Sequence, residues 1–250
     1  MTAQLDEYRV RSPGQGFPAT SWSLVLKAAE HPAPESKQAL ASLCAAYFYP
    51  TFVYVRRICQ DPEEARDLTQ EFFLRVLEKG YLRQACRDRG SFRAFLMACL
   101  RHFLSNEWDR TNAQKRGGGC SFIAVDFSTA ETRYGLEAWD DLTPDKVFEK
   151  RWALEVLRRV LGRLRDEYEK RSQAVQFETL KPFLTGDQDQ GAYGQAAASL
   201  QVSEAAARVA VHRIRRRYAD LLRHEIAQTV SGPDEVDSEI HFLLNSLAAK

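Results

Sequence analysis

Helical periodicity is the feature of this 250-residue sequence that most restricts its fold. Almost every long segment carries apolar residues three and four positions apart, and alternating runs of β-branched residues are nearly absent. Such spacing lines one face of a helix, whereas a half-buried strand needs a spacing of two. The pattern therefore predicts an all-α protein, and a hydrophobic content of 44% is enough to bury a core.

Changes in composition predict two helical domains joined by an acidic linker, the second containing a helix-turn-helix. The expected segments are a flexible tail over 1–18, a first domain over 19–116, the linker over 117–142, a second domain over 143–230 and an additional C-terminal helix within 231–250.

The formal net charge of +1 conceals strong local asymmetry. Residues 87–116 hold seven Lys or Arg against three Asp or Glu, and residues 204–217 hold five against one. Between them, residues 117–149 hold two against seven. Two basic blocks separated by an acidic connector indicate two surfaces that face a polyanion.

Signals for catalysis, metal binding and membrane insertion are missing from the sequence. The glycine-rich stretch KRGGGC lacks the ending of a phosphate loop, and the five histidines are scattered. Five cysteines form no CxxC pair, so we expect reduced, mostly buried thiols. No apolar run could span a membrane, and the N-terminus lacks the apolar region of a secretory signal. We therefore expect a cytosolic protein with no catalytic residue, cofactor, metal or membrane partner.

The segments AYGQAAASL, QVS and EAAARVAVHRIRRRYADLL predict the helix-turn-helix. Alanines in the first helix allow a close crossing, and a serine can cap the second helix. A basic helix pair in solvent is the plainer alternative. The exposed row suits phosphate and base-edge contacts in a major groove, and its candidate residues are Ser203, Ala205, Arg208, Val209, His212, Arg213 and Arg216.

A tryptophan stands among polar and basic residues in RHFLSNEWDRTNAQKR, residues 101–116. Helical spacing places it opposite a phenylalanine- and leucine-rich stripe, on an outward face. It is either an ordinary interhelix residue or a platform on which unpaired bases stack between basic side chains. The candidate single-strand contacts are Arg93, Met97, Arg101, Ser105, Trp108, Arg110, Lys115 and Arg116.

The segment DPEEARDLTQEFFLRVLE begins with an aspartate cap followed by proline, which is typical of a helix start. Its polar face surrounds a leucine with acidic and amide side chains. That leucine is either a stray exposed residue or the centre of a partner contact, and periodicity does not decide between them. The residues of this face are Asp67, Gln70, Glu71, Leu74 and Glu78.

Three blocks in this order, DPEEARDLTQEFFLRVLE, SFRAFLMACLRHFLSNEWDR and YGQAAASLQVSEAAARVAVHRIRRRYADLL, resemble the extracytoplasmic-function (ECF) sigma factors of bacterial RNA polymerase. The resemblance covers about residues 37–116 and 144–226. It implies that the partners are core RNA polymerase and promoter DNA. The face around Leu74 would then dock on the polymerase clamp helices, and the helix of Trp108 would open and read the minus-ten element as a single strand.

The same resemblance implies that the helix-turn-helix reads the minus-thirty-five element as duplex. It also implies that the acidic linker threads the nucleic-acid channels of the polymerase. An inhibitory anti-sigma protein is a further candidate partner that the sequence does not identify.

The chain departs from the family at four places: Phe95 replaces a frequent Trp, His102 a frequent Asn, Gln201 the usual turn Gly, and Ala206-Ala207 a Thr-Val pair. Since glycine relieves a positive φ, we expect a strained or altered turn at Gln201. The helix over 234–248 lies beyond the part of the chain that resembles the family. Our hypothesis is that it packs on the helix-turn-helix domain and modulates promoter access.

Two other classes of function remain open from the sequence. A stand-alone helix-turn-helix regulator would bind duplex DNA tightly without polymerase, with the N-terminal helices as a sensor. An interaction protein would instead use its basic faces to meet acidic proteins, with no dependence on nucleic acid.

Overall fold

The computed structural model describes residues 22, 34–77, 90–113, 127–135, 142–184, 186 and 190–248. Within these ranges it contains nine α-helices and no strand, so the predicted all-α class is confirmed. The predicted tail over 1–18 lies outside them. The helices are α1 (Pro34–Ile58), α2 (Pro62–Leu77), α3 (Phe92–Ala113), α4 (Phe127–Gly135), α5 (Pro144–Glu169), α6 (Ala174–Leu180), α7 (Gln190–Leu200), α8 (Glu204–Ala227) and α9 (Glu235–Ala248), with a 3₁₀ helix (Lys181–Leu184) after α6.

Helix α1 lies at the centre of the molecule. All its residues from Tyr47 to Val55 are buried, and a helix buried on every side needs neighbours all round. Phe48 packs on Phe73 of α2 with ring centroids 5.5 Å apart, and Tyr47 packs on Phe92 of α3 at 5.0 Å. Helix α5 is the most extensive neighbour of α1. Three helices from both halves of the chain therefore surround α1.

A buried hydrogen bond joins the two predicted domains. The indole Nε1 of Trp152 on α5 donates to the hydroxyl oxygen of Tyr47 on α1 at 2.9 Å. Burial raises the pKa of the Tyr47 phenol, so it stays neutral in this setting. The buried apolar residues of both predicted domains form one continuous core. The two halves are thus in direct contact and are not connected through the linker alone.

The predicted linker contains a helix that its sequence pattern does not reveal. Helix α4 is tied to the core by an ion pair between Arg56 Nε and Glu131 Oε1 at 3.1 Å. The guanidinium of Arg133 lies 3.9 Å from the ring centroid of Tyr49 and pairs with Glu155 at 3.6 Å. Nine residues are too few to show a clear apolar period, so these tertiary contacts stabilise what local pattern does not predict. Residues 117–126 and 136–141 lie outside the described part of the chain.

Capping side chains begin the helices where the sequence predicts them. Asp61 Oδ1 accepts from the amide of Glu63 at 2.8 Å before α2, and Thr143 Oγ1 accepts from the amide of Lys146 at 3.4 Å before α5. The predicted cap of α8 is confirmed, because Ser203 Oγ accepts from the amide of Ala206 at 3.2 Å. Each bond satisfies an amide that has no partner within its helix.

The turn between α7 and α8 adopts the backbone conformation that glycine favours. Gln201 has a φ of 54°, its amide donates to Ala198 O at 3.2 Å, and the amide of Val202 donates to Ala197 O at 3.0 Å. This pair of bonds is a Schellman motif. A side-chain-bearing residue in this region costs roughly 1–2 kcal/mol, so the strain expected at Gln201 is present. Ser172, with a φ of 58°, ends α5 in the same way.

Three of the five cysteines fall in the described residues, and all three are buried, as the sequence predicts. Burial raises the pKa of the Cys44 thiol to about 12 and that of Cys59 to about 11. Cys86 and Cys120 lie outside the described residues. Among the described helices, none is long and apolar enough to cross a membrane.

Replacing Gln201 with glycine should stabilise the protein. Glycine adopts the positive φ without a side-chain clash, although it gives the unfolded chain more freedom. We expect the free energy of unfolding in urea to rise by about 0.5–1 kcal/mol. The control Gln201→Ala keeps the β-carbon and should give no such gain. A loss of stability in Gln201→Gly would show that the turn is not strained.

Candidate polymerase and nucleic-acid interfaces

The predicted docking face comprises Asp67, Gln70, Glu71 and Leu74 of α2, together with Glu78. Its opposite side is anchored in the core by Ala65, Thr69, Phe72, Phe73 and Val76, which are all buried. Asp67 is exposed, and Gln70, Glu71 and Leu74 are partly exposed, so these four predicted residues share an accessible surface. Glu78 lies outside the described residues. A leucine flanked by carboxylates at the surface suits a partner that offers an apolar spot ringed by cations.

Arg75 fixes the docking face to α3, and the sequence reasoning missed it. Its guanidinium donates to Glu71 Oε1 at 2.7 Å and to Glu107 Oε1 at 2.8 Å. It also lies 4.9 Å from the ring centroid of Phe103. The spacing of Glu71 and Arg75 by four residues is the sequence signal that would have found the first contact. The pairing holds Glu71 in a defined position on the docking face.

The predicted tryptophan face comprises Arg93, Met97, Arg101, Ser105, Trp108 and Arg110 of α3, together with Lys115 and Arg116. Its C-terminal part is accessible: Ser105 is exposed, and the side chain of Trp108 is 44% exposed. The outward direction predicted for the indole ring is therefore confirmed. The side chain of Arg110 and all of Lys115 and Arg116 lie outside the described residues.

The N-terminal part of the tryptophan face is covered, which corrects the expected exposure of Met97. Met97 is only 6% exposed. Arg93 donates through Nε to Glu239 Oε1 at 2.8 Å and through Nη2 to Glu239 Oε2 at 3.1 Å. Side chains of α5 and α9 contact Arg93 on this part of α3, and a helical wheel of α3 alone cannot foresee neighbours so distant in sequence.

Arg101 marks the boundary between the covered and open parts. Its Nε donates to Asp145 Oδ1 at 3.1 Å, and its Nη2 also contacts that oxygen. This hydrogen bond raises the pKa of the Arg101 guanidinium above its usual value. The side chains remain 59% and 42% exposed, so solvent and salt weaken the pair. Arg101 is therefore paired and yet reachable from solvent.

The arginine face of α8 comprises Ser203, Ala205, Arg208, Val209, His212, Arg213 and Arg216. All seven residues are exposed, as predicted. The other side of the helix is buried through Ala207, Val211, Ile214, Leu221 and Ile226. Arg208 pairs with Glu204 at 2.6 Å and lies 4.4 Å from the ring centroid of Tyr193 on α7. The arrangement presents cationic side chains and a valine on one accessible helix side.

Two further arginines orient α8 and were missed by the sequence reasoning. Arg217 Nε donates to Glu167 Oε2 on α5 at 2.8 Å, and Arg215 Nε donates to the carbonyl oxygen of Phe183 at 2.9 Å. The hydrogen bond from Arg217 lowers the pKa of the Glu167 carboxyl. Within the RIRRR run, alternate arginines thus hold the helix in place, whereas Arg213 and Arg216 face outward.

A groove lies beside the arginine face. It is lined by residues of α6, α7, α8 and the turn between α7 and α8, among them Val175, Val202, Val209 and Arg213. The three valines are 72%, 44% and 49% exposed. Apolar contacts next to a cation suit a surface that reads thymine methyl groups or meets a protein partner.

The comparisons with known proteins concern the docking face and the tryptophan face. No curated protein and no solved structure matches the chain. Residues 52–114 match the family model for sigma-70 region 2, which is about a quarter of the chain. That span contains all of α2, so it includes the docking face up to Leu74, and it contains α3 with the exposed Trp108. Over these residues the chain is similar to region 2 of the sigma-70 family.

Proposed function

We propose that this chain is an ECF-type sigma factor that binds core RNA polymerase, melts the minus-ten element and anchors on the minus-thirty-five element. The observation that carries the proposal is the coincidence of the region 2 match with an exposed tryptophan at residue 108. The chain supplies binding and positioning, and the polymerase supplies the chemistry.

The docking face supports the polymerase contact in this proposal. Its leucine is accessible on a helix whose other side is fixed in the core, so it can meet a partner without unfolding. Carboxylates around an apolar centre attract and orient a basic partner surface. The clamp helices of the polymerase are the partner that we propose.

The open part of the tryptophan face supports strand separation. Unpairing a base costs a few kcal/mol, and an aromatic ring returns roughly 1–3 kcal/mol per stacked base. Trp108 offers such a ring at the surface, with the accessible cation Arg101 two turns away on α3. Stacking on Trp108 then offsets the cost of unpairing the bases, while Arg101 binds the DNA backbone.

The arginine face supports the upstream contact. Arg213 and Arg216 are exposed on α8, the second helix of the predicted helix-turn-helix, where guanidinium groups can reach phosphates and guanine edges. In the proposal, this contact sets the register of the complex on duplex DNA, and the tryptophan face opens the strands downstream.

Transcription in vitro with core polymerase tests the proposal. Promoter-specific initiation that requires this chain would support a sigma factor. Tight duplex binding without polymerase, and no stimulation of initiation, would instead support the stand-alone regulator. Binding to neither polymerase nor DNA would contradict both and favour an interaction protein.

Leu74→Arg should weaken binding to core polymerase, because it places a charge at the apolar centre of the docking face. We expect a loss of about 2 kcal/mol or more, the size of an interface hot spot, which is roughly 30-fold in Kd. The measurement is fluorescence binding to core enzyme. Leu154→Arg is the matched control, since Leu154 is a 37% exposed leucine on α5. Equal affinity of both variants would rule out the docking face.

Trp108→Ala should impair open-complex formation and spare core binding. Removing the ring loses about 1–3 kcal/mol of stacking for each base it supports. Permanganate reactivity of promoter thymines measures strand opening. Trp108→Phe keeps an aromatic ring and should retain most of the opening. Normal opening by Trp108→Ala would show that the indole is not the stacking platform.

Arg213→Ala should weaken binding to the upstream element by about 1–3 kcal/mol if the guanidinium makes a bidentate base contact. The loss should appear on one preferred sequence and be small on others. Arg223→Ala serves as the control, because Arg223 lies on the same helix outside the arginine face, where it pairs with exposed Asp237. An equal loss on every sequence would make the Arg213 contact one to phosphate alone.

A further inference from the structure

The C-terminal helix α9 covers the surface that the proposed function assigns to promoter DNA. Glu239 of α9 holds Arg93 through two hydrogen bonds, 2.8 and 3.1 Å long. Phe242 of α9 stacks on the same guanidinium, with its ring centroid 3.6 Å away. Trp152 of α5 lies 5.1 Å away from it. Arg93 is thus enclosed by a carboxylate and two aromatic rings.

The enclosure leaves no room for a nucleic-acid ligand at Arg93. The side chains of Arg93 and Glu239 are only 12% and 9% exposed. A carboxylate that accepts two guanidinium hydrogen bonds occupies the positions that two phosphate oxygens would take. Glu239 therefore stands where a DNA phosphate would bind.

Helix α5, on which α9 packs, supplies further carboxyl groups to the tryptophan face. Asp145, at the start of α5, contacts Arg101. Glu149, one turn later, interacts electrostatically with both Arg93 and Arg101, and its burial raises its pKa. Each cation described on this face is thus opposed by an acidic residue of the C-terminal half.

A defined seam holds α9 against α3. Ser231 Oγ donates to the carbonyl oxygen of Gly90 at 2.8 Å, and the amide of Phe92 donates to Thr229 O at 2.7 Å. Gly90 has a φ of 63°, and a β-carbon added there would lie 3.4 Å from Glu235 Oε1. The turn that precedes α9 is therefore seated directly on the N-terminus of α3.

We propose that α9 is an autoinhibitory element, which keeps the N-terminal part of the tryptophan face closed until α9 moves off α3. This inference rests on the proposed function, since it concerns the same DNA-binding face. Arg93 becomes available only in the open arrangement, whereas Ser105 and Trp108 are accessible in both. Single-stranded DNA and Glu239 then compete for Arg93.

Glu239→Gln tests the competition in the full-length chain. The amide keeps the shape of the side chain and removes the charge that holds Arg93. We expect the Kd for a labelled mixed-sequence single-stranded DNA to fall at least about tenfold, because the open population rises. Asp237→Asn is the matched control: it removes the same charge from the same helix, where Asp237 pairs with exposed Arg223. It should leave the Kd within about twofold of the original protein, since an exposed pair contributes little.

The double variant Arg93→Gln/Glu239→Gln identifies the released group. If Arg93 is what α9 withholds, the gain of Glu239→Gln disappears in the double variant. A gain that persists there, or equal Kd values for Glu239→Gln and Asp237→Asn, would overturn autoinhibition.

Hydrogen exchange of the unaltered protein provides a readout that does not depend on any variant folding. Coupling is reciprocal, so saturating single-stranded DNA must loosen α9 and speed exchange of its amides. Unchanged exchange in α9 at saturation would overturn autoinhibition while leaving polymerase binding intact. If the proposed function itself is wrong, the result is different, because neither the original protein nor any variant would then bind core polymerase or DNA.

Discussion

Burial of the α1 segment from Tyr47 to Val55 determines how the other helices are arranged. Nine consecutive buried residues present apolar surface in every direction, so α1 is stable only when helices surround it. Helix α5 supplies one side, and the bond from Trp152 to Tyr47 sets its position. Because α9 packs on α5, the C-terminal end of the chain is brought to α3. The covering of Arg93 on α3 is a consequence of completing the core of α1.

Local chemistry made the helices and most of the outward faces predictable from sequence. Caps at Asp61, Thr143 and Ser203 act within three residues, and apolar periodicity fixes which side of α2 and of α8 is buried. The outward position of Trp108 followed from the same spacing. Even the strained turn was foreseeable, since Gln201 stands where a positive φ calls for glycine.

Contacts between distant parts of the chain were not predictable in this way. Arg93 and Glu239 are 146 residues apart, and a helical wheel contains no information about what covers a helix. Met97 has the spacing of an outward residue and is nevertheless buried, which the pattern of α3 alone does not predict. Helix α4 is likewise held by ion pairs to α1 and α5 and not by its own short pattern. The sequence therefore predicts which side of a helix faces outward, but not which distant residues cover that side.

Coverage of α3 falls along its length, and this gradient relates the closed arrangement to the proposed melting. Arg93 is enclosed, Arg101 is held by an exposed pair that salt screens, and Trp108 is open. Under the proposed function, a single strand would first stack at the exposed end, next compete with Asp145 for Arg101, and last displace Glu239 from Arg93. Each of these contacts would weaken the binding of α5 and α9 to the next arginine along α3. The most buried pair, which costs most to break, then determines when the whole face becomes available.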